Sequence, residues 1–549
     1  MMPCREDVLF FTKQLVEIPS VVNTDGEREI SQVIYTLLAS FPYFMDHPDY
    51  IIKQPTILDD IERYNVVAFV KGTKCPSEQT VILMGHVDTV DIEDFGQLRA
   101  KACQPEALMA ALQKEPLAED IKAQLSSGDF LFGRGALDMK SGLAAHLYLL
   151  KYYSEHPEEL AGNLVFVAEC DEEDSSHGIL SAVELLNELK KDHGFDYVAA
   201  INADFVAPLY EGDPHRYIYT GSVGKLLPTF FVTGTQTHVG AAFEGIDPNY
   251  LISFLTKQIN YNTDLCDEAH GEWTLPPVSL KQTDLKPSYD VQTAHAAVAY
   301  FNFFTHSLSP QDVLNRLKKQ AEIAFREALA EYKRKREAFY AKTGLTPRGQ
   351  HWAPRVLTFE EMVAEIHAVH GRKFEQHMAT FKKELLSDPA LDLRMFNIRV
   401  VEEAWKWIPD KSPAMILFFS SIYSPPVDVS GKDEKEARLL AALDEAVNTI
   451  QPQYEHPIKV KHFFPFISDM SFVALNDDEE AIGTVINNHP AWGTKHIVHY
   501  GQIRALNVPV INIGPYGFDA HRQYERVEIP YSMEIVPNLI NEVIGRLLY

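Results

Sequence analysis

The chain reads as an α/β protein: a mainly parallel sheet built from its two ends, interrupted by an α+β segment with an enlarged helical insertion. Three observations lead to this. Short apolar runs bounded by turn residues alternate with helix-length stretches, as they do in parallel sheets whose crossovers are helical. Near Thr220 that alternation breaks down, and it resumes beyond Lys432. Between these points, residues 310–410 are dominated by charged helical sequence. The domain limits follow as 1–219 and 430–549 for the two parts of one domain and 220–429 for the interruption.

Residues 5–42 predict two helices joined by a turn at Ile18-Pro19-Ser20, the second starting near Thr24-Asp25-Gly26-Glu27. Asn65–Val70 and Thr80–Gly85 are apolar without alternation, as strands buried on both faces are. Residues 91–128 form a polar, helix-compatible insertion, and Lys140–Tyr153 reads as a helix. Asn163–Ala168 and Tyr197–Asn202 are strand-like, with a helix near 178–192 between them. In the interruption, a strand-like run at Leu226–Val232 precedes a helix over 248–260 and strands near 276–283 and 295–304. From Pro310 to Tyr340, Leu314, Leu317, Ala321, Ala324 and Ala328 repeat at a 3-4-3-4 spacing. That spacing lines one helix face with an apolar seam, which packs within its own chain more often than it pairs subunits. Ala414–Tyr423 is a strand candidate; a helix, a strand at Ile458–Phe464, another helix and a strand at Val508–Ile513 complete the chain.

Composition excludes several classes. A hydrophobic fraction of 46% over 549 residues supports large cores and rules out wholesale disorder. A formal charge of -27 argues against nucleic acid or an anionic membrane as the main partner. The five cysteines form no CxxC pair, so neither a disulfide framework nor a thiolate metal site is indicated. No apolar run reaches membrane-spanning length and the amino terminus lacks a secretory pattern, so a cytoplasmic location is expected.

Five candidate metal ligands stand just beyond apolar runs: His86, Asp138, Glu173, Asp204 and His521. Open α/β sheets build sites at strand ends. In Gly85-His86-Val87-Asp88 the two polar side chains are two residues apart, so in extended backbone the Asp88 carboxylate can approach the His86 ring and fix its tautomer. Gly133–Gly142 sets Asp138 between glycine-rich backbone and a helix start; Met139 occupies the position where a phosphate loop needs glycine. Asp171-Glu172-Glu173-Asp174 gathers four acids at the mouth of a buried strand, where repulsion is costly unless cations offset it. Two adjacent glutamates can divide the work, one binding metal and one taking a proton from water. Two imidazoles and three carboxylates suit a pair of divalent ions, making a two-metal hydrolase the first hypothesis.

Taken together, GHVDTV, GRGALDMKSG, the DEE cluster, Asp204 and AHRQYERV resemble the M20 family of dinuclear zinc peptidases and amidohydrolases, over about 8–220 and 430–549. Length and overall pattern are similar to the arginine-utilisation branch, the RocB-type proteins. The resemblance implies that His86 and Asp204 hold one metal, Glu173 and His521 the other, that Asp138 bridges them and that Glu172 is the general base. It implies a cis peptide at Asp138-Met139 and a lid domain, a four-stranded sheet with two helices that also serves homodimer formation. His238 matches the lid histidine that stabilises an oxyanion in a neighbouring subunit's site. Zinc is the metal the imidazoles favour, with cobalt or manganese nearly as well suited. The expected substrate is a small amide or peptide.

The sequence also departs from the family pattern. Asp247 replaces the lid asparagine, Ser141 replaces a glycine, and Tyr300–His306 lacks the usual lid arginine. Loss of that guanidinium removes a fork for a substrate carboxylate. With Asp247, it points to a cationic, arginine-derived substrate. The competing expectation is a non-catalytic binding or assembly protein that keeps its metals for stability.

Overall fold

The computed structural model describes residues 2, 4–346 and 352–548. They form two compact units: Met1–Ser222 with Val427–Leu475 and His499–Tyr549, and Val223–Pro426 with Asn476–Val498. Among the described residues no helix is long and apolar enough to cross a membrane.

The first unit is organised by an eight-stranded sheet. Its order is Ile51–Pro55, Tyr64–Lys71, Ala161–Glu169, Cys75–His86, Asp196–Asn202, Val510–Asn512, Arg216–Tyr219 and Ile458–Lys461. The middle of the sheet, from Ala161–Glu169 to Val510–Asn512, is parallel throughout. The strand Ala161–Glu169 is buried at all its positions, which explains why its sequence does not alternate. Each fully buried aliphatic or aromatic side chain in such a strand contributes about 1.5–3 kcal/mol of transfer free energy. The polar stretch over 91–128 folds into a 3-10 segment and two helices around their own cluster of Phe95, Leu108, Leu112, Ile121 and Leu125, joined by Phe132.

The sheet places the candidate ligands unevenly. His86 ends its strand, Glu172 and Glu173 follow Glu169, and Asp204 follows Asn202, all at the carboxyl edge of the parallel core. Asp138 departs from the expectation that every ligand ends a strand of the main sheet. The strand before it, Phe130–Phe132, belongs to a separate small sheet with Gly517–Phe518 and Arg526–Glu528. A glycine-rich turn, with Gly135 at φ +78, then carries the chain to Asp138 and the helix Lys140–Glu155.

The second unit has a sheet ordered Val278–Asp284, Ala296–Thr305, Pro228–Thr233, Met415–Phe419 and Val356–Thr358, with Gly224–Leu226 pairing beside Ala296–Thr305. The four-strand lid expected from the family resemblance is therefore extended, because the insertion supplies Val356–Thr358, parallel to Met415–Phe419. Alternate strand residues Phe231, Val298, Ile416 and Phe418 pack against Met362, Ile366, Phe374, Met378, Phe396 and Val401 from the insertion helices. The seam residues of the helix Pro310–Thr343 are buried, and that helix packs along Pro248–Ile259. A Ser309–Asp312 capping box opens it and Gly344, at φ +68, closes it.

The expected limits also need one correction. Residues 476–498, expected in the resumed first domain, fold with the second unit. The reason is local. Asn488 accepts the Glu360 backbone N–H and donates to its carboxylate, Ala491 N–H donates to Asn397 Oδ1, and Ala491 joins the insertion's core.

Candidate metal centre

Four of the five sequence-predicted ligands meet in direct contact. His86 is 2% exposed; its Nδ1 lies 3.0 Å from the Asp88 carbonyl oxygen and its Nε2 3.1 Å from Asp138 Oδ1. Donation from Nδ1 to that carbonyl leaves Nε2 facing a carboxylate oxygen, a contact that either a proton or a metal ion between the two makes favourable. The other Asp138 oxygen, Oδ2, is 2.8 Å from His521 Nε2, which also lies 2.9 Å from Glu173 Oε1. Asp138 thus presents one oxygen to each imidazole.

Asp88 approaches the His86 ring, as its spacing predicts, and also does something the spacing does not show. Its carboxylate stands 3.6 Å from His86 Nδ1, while its backbone oxygen makes the closer contact. The carboxylate also accepts the backbone N–H groups of Glu172 at 3.2 Å and Glu173 at 3.0 Å. One buried side chain thereby links the histidine strand to the acidic turn.

Asp204 is buried but makes no ion pair with either histidine. Its Oδ1 accepts the Phe205 N–H at 2.8 Å, while Asn512 accepts its N–H and donates to its carbonyl. Gly142 lets the neighbouring helix approach this loop, since a Cβ there would stand 2.0 Å from the Ala203 carbonyl oxygen. Asp204 nevertheless shares the electrostatics of the centre: burial pushes its carboxyl well up, Asp138 adds to the rise, and His86 opposes it. Asp138-Met139 is a cis peptide, as the resemblance implied. His238 lies exposed in the second unit, where its Nδ1 accepts the Gly240 N–H at 3.0 Å. Asp247, also there, caps the helix Pro248–Ile259 by accepting the Asn249 N–H at 2.9 Å.

The charges around the centre are unbalanced. Burial pushes Glu172 well above the ordinary carboxylate range; His86 opposes this, and Asp469, Glu173 and Asp204 reinforce it. Glu173 is likewise raised, first by burial, with His521 opposing. His521 runs the other way: burial would lower it, but its contacts with Asp138 and Glu173 raise it to about 11. Glu173 Oε1 receives no well-directed hydrogen bond among the described residues, and neither does any carboxylate oxygen of Asp469. His86, Asp138 and Glu173 bring ligand atoms within 4.8 Å of one another. Orphaned buried oxygens, an acid excess and mixed nitrogen–oxygen donors fit divalent cations.

Sequence reasoning missed three supporting acids. Glu525 Oε1 accepts the N–H groups of Leu137 and Asp138, while Oε2 pairs with buried Arg134 at 2.7 Å. It stands in the AHRQYERV motif, where only the histidine drew notice. Asp469 and Glu169 are 3% and 1% exposed and act on His86 electrostatically. Their sequence signal, single acids inside apolar stretches, is weak.

Such a sheet, with acids and imidazoles gathered at the edge of its parallel strands, is suited to a metal-dependent hydrolase; its family makes it one acting on carbon–nitrogen bonds. The chain belongs to Peptidase family M20/M25/M40, whose family model matches residues 82–503. It is 37% identical to protein RocB of Bacillus subtilis (strain 168) over 544 residues, 99% of this chain and 95% of that protein. YqjN of the same organism is 34% identical over 548 residues, 99% of this chain and 97% of its own. The M20 family metallo-carboxypeptidase Sso-CP2 from Sulfolobus solfataricus shares the fold with a TM-score of 0.52 at 12% identity, covering 99% of each chain.

Proposed function

We propose that the protein hydrolyses an amide of a peptide or N-acyl amino acid with two divalent metal ions. His86 and Asp204 would hold one and Glu173 and His521 the other, with Asp138 shared between them. The observation that supports this most directly is the division of Asp138, with Oδ1 at 3.1 Å from one imidazole and Oδ2 at 2.8 Å from the other. Divalent ions bound there supply Lewis acidity, making a water acidic at neutral pH and an amide carbonyl electrophilic.

The side chains do the rest. Glu172 accepts the water's proton on its carboxylate and returns it to the departing amine. Asp88 fixes the backbone on which Glu172 sits, so the base cannot drift from the carbonyl under attack. His238, reaching a neighbouring subunit's site as the family resemblance implies, would donate to the developing oxyanion there. Zinc suits the imidazoles best, and a homodimer forms through the second unit. Asp247 and the absence of an arginine over Tyr300–His306 favour a substrate with a cationic, arginine-derived side chain.

Metal analysis combined with substrate profiling tests this reading. Saturated protein should hold two ions per chain and should cleave members of a panel of free dipeptides and N-blocked arginine amides. Saturation at one ion removes the dinuclear site. Two ions with no turnover anywhere in the panel favours the second reading, a metal-stabilised binding protein, which the altered lid motif supports.

A further inference from the structure

Beneath the acidic turn lies a second charged cluster that the proposed reaction does not use. Arg63 is 3% exposed and its guanidinium meets carboxylates on three sides. Its Nη1 donates to Glu27 Oε2 at 2.7 Å, its Nε to Asp59 Oδ2 at 2.7 Å, and its Nη2 lies 3.0 Å from Asp171 Oδ2. Glu27 and Asp171 are both fully buried. Asp59, Asp171 and His177 bring ligand atoms within 4.8 Å of one another, but here the cation is already present as Arg63.

The cluster reaches the proposed base through the chain itself. Asp171 immediately precedes Glu172 and adopts φ +68, an uncommon conformation for a residue with a side chain. Its position is held from several directions. Glu27 Oε1 accepts the Asp171 N–H at 3.0 Å, and Asp171 Oδ2 accepts the His177 N–H at 3.0 Å and contacts His177 Nδ1 at 2.6 Å. On the far side of the turn, Asp88 accepts the next two N–H groups. The turn is therefore gripped by Asp88 from the histidine strand and by Arg63 from below. Only a planar fork reaches Glu27, Asp59 and Asp171 together; a lysine ammonium supplies the charge without that geometry.

We propose that Arg63 is a positioning residue for the reaction, acting through Asp171 and Glu27 to fix the backbone that aims Glu172 and Glu173. This rests on the reading of Glu172 as general base. Asp59 accepts from Arg63 Nε and from the same Nη2 that meets Asp171, but among the described residues it accepts no hydrogen bond from the backbone of the turn, so it serves as the stability control.

The test compares Arg63→Lys, Arg63→Met, Asp171→Asn and Asp59→Asn with wild type in the full chain. Arg63→Lys and Asp171→Asn should lower kcat by roughly 100-fold, the cost of about 1 Å of misplacement, with KM nearly unchanged. In metal-free protein both should speed amide hydrogen exchange over residues 170–176 relative to the rest of the chain. Asp59→Asn should lower the thermal midpoint while keeping kcat. Should Arg63→Met fail to fold, Arg63→Lys still decides, because it retains the buried charge. Near wild-type kcat with unchanged exchange in Arg63→Lys overturns the proposal, as does a kcat loss matched by Asp59→Asn. If wild type cleaves nothing in the amide panel, the hydrolase reading has failed on its own, and the exchange data alone judge the anchor.

Discussion

Glu525 carries Asp138 on its carboxylate: Oε1 accepts the Asp138 N–H at 3.3 Å and the preceding Leu137 N–H at 3.1 Å. The other oxygen pairs with Arg134, itself 1% exposed. A residue four positions beyond His521 thus supports the acid that His521 faces, so one short segment supplies both a ligand and the support of its neighbour.

Replacing Glu525 with glutamine keeps an acceptor for the two N–H groups but leaves Arg134 without its buried counter-charge. The variant should lose about 3–5 kcal/mol, the usual cost of breaking a buried ion pair on one side. Urea unfolding measures this. A loss below about 1 kcal/mol would mean that Asp94, 2.7 Å from Arg134, suffices alone.

Glu172→Gln should keep both metals and the fold while lowering kcat by about 10²–10⁴-fold, the range for removal of a general base. Asp88→Ala should act differently, releasing the acidic turn and weakening metal binding or activity by about 10–100-fold. Metal titration beside steady-state kinetics separates the two. Wild-type turnover in Glu172→Gln refutes the base assignment.

The two roles of Asp247 are separable. As a helix cap, its loss in Asp247→Ala should cost about 1 kcal/mol, whereas Asp247→Asn should cost almost nothing. If the carboxylate also recognises a cationic substrate, Asp247→Asn should raise KM for arginine amides and spare neutral ones. Equal KM values for both substrates would leave capping as its function.

Acid should destabilise the fold through His146. It is fully buried, its ring nitrogens have no well-directed hydrogen-bond partner among the described residues, and burial lowers it from 6.5 to about 3 against a weaker opposing pull from the Met84 backbone. The unfolded chain then binds the proton first, so the stability is intact above pH 6.5 and is lost progressively as pH falls toward 3. At pH 5 the loss amounts to roughly 2 kcal/mol. Unfolding of wild type and His146→Leu at pH 7 and pH 5 checks it: the variant should lose that much less across the interval.

Much of this arrangement could be read from the chain because the central strands are buried on both faces and therefore uniformly apolar. Asn65–Val70 and Thr80–Gly85 fall inside the strands observed, and the acids and histidines after such runs stand out. Asp138 stands beside His86, yet a glycine turn rather than a main-sheet strand delivers it, which no apolar run in the sequence signals. Val356–Thr358 is too short to show a period. The Arg63 cluster was hidden for another reason. Its members lie on a helix, a loop and a turn far apart in sequence, and only folding reveals that Glu27 is more than a helix-start residue.

The insertion in the second unit bears on how the chain can be shortened. Phe231, Val298, Ile416 and Phe418 find their cover in helices drawn from 359–405, and Val356–Thr358 occupies what would otherwise be an open sheet edge. Trimming those helices away would strip the lining from a broad greasy wall and free a row of backbone donors and acceptors for sticking to other chains. A minimal version of this protein must therefore repaint that wall with polar residues before it can do without the extra length.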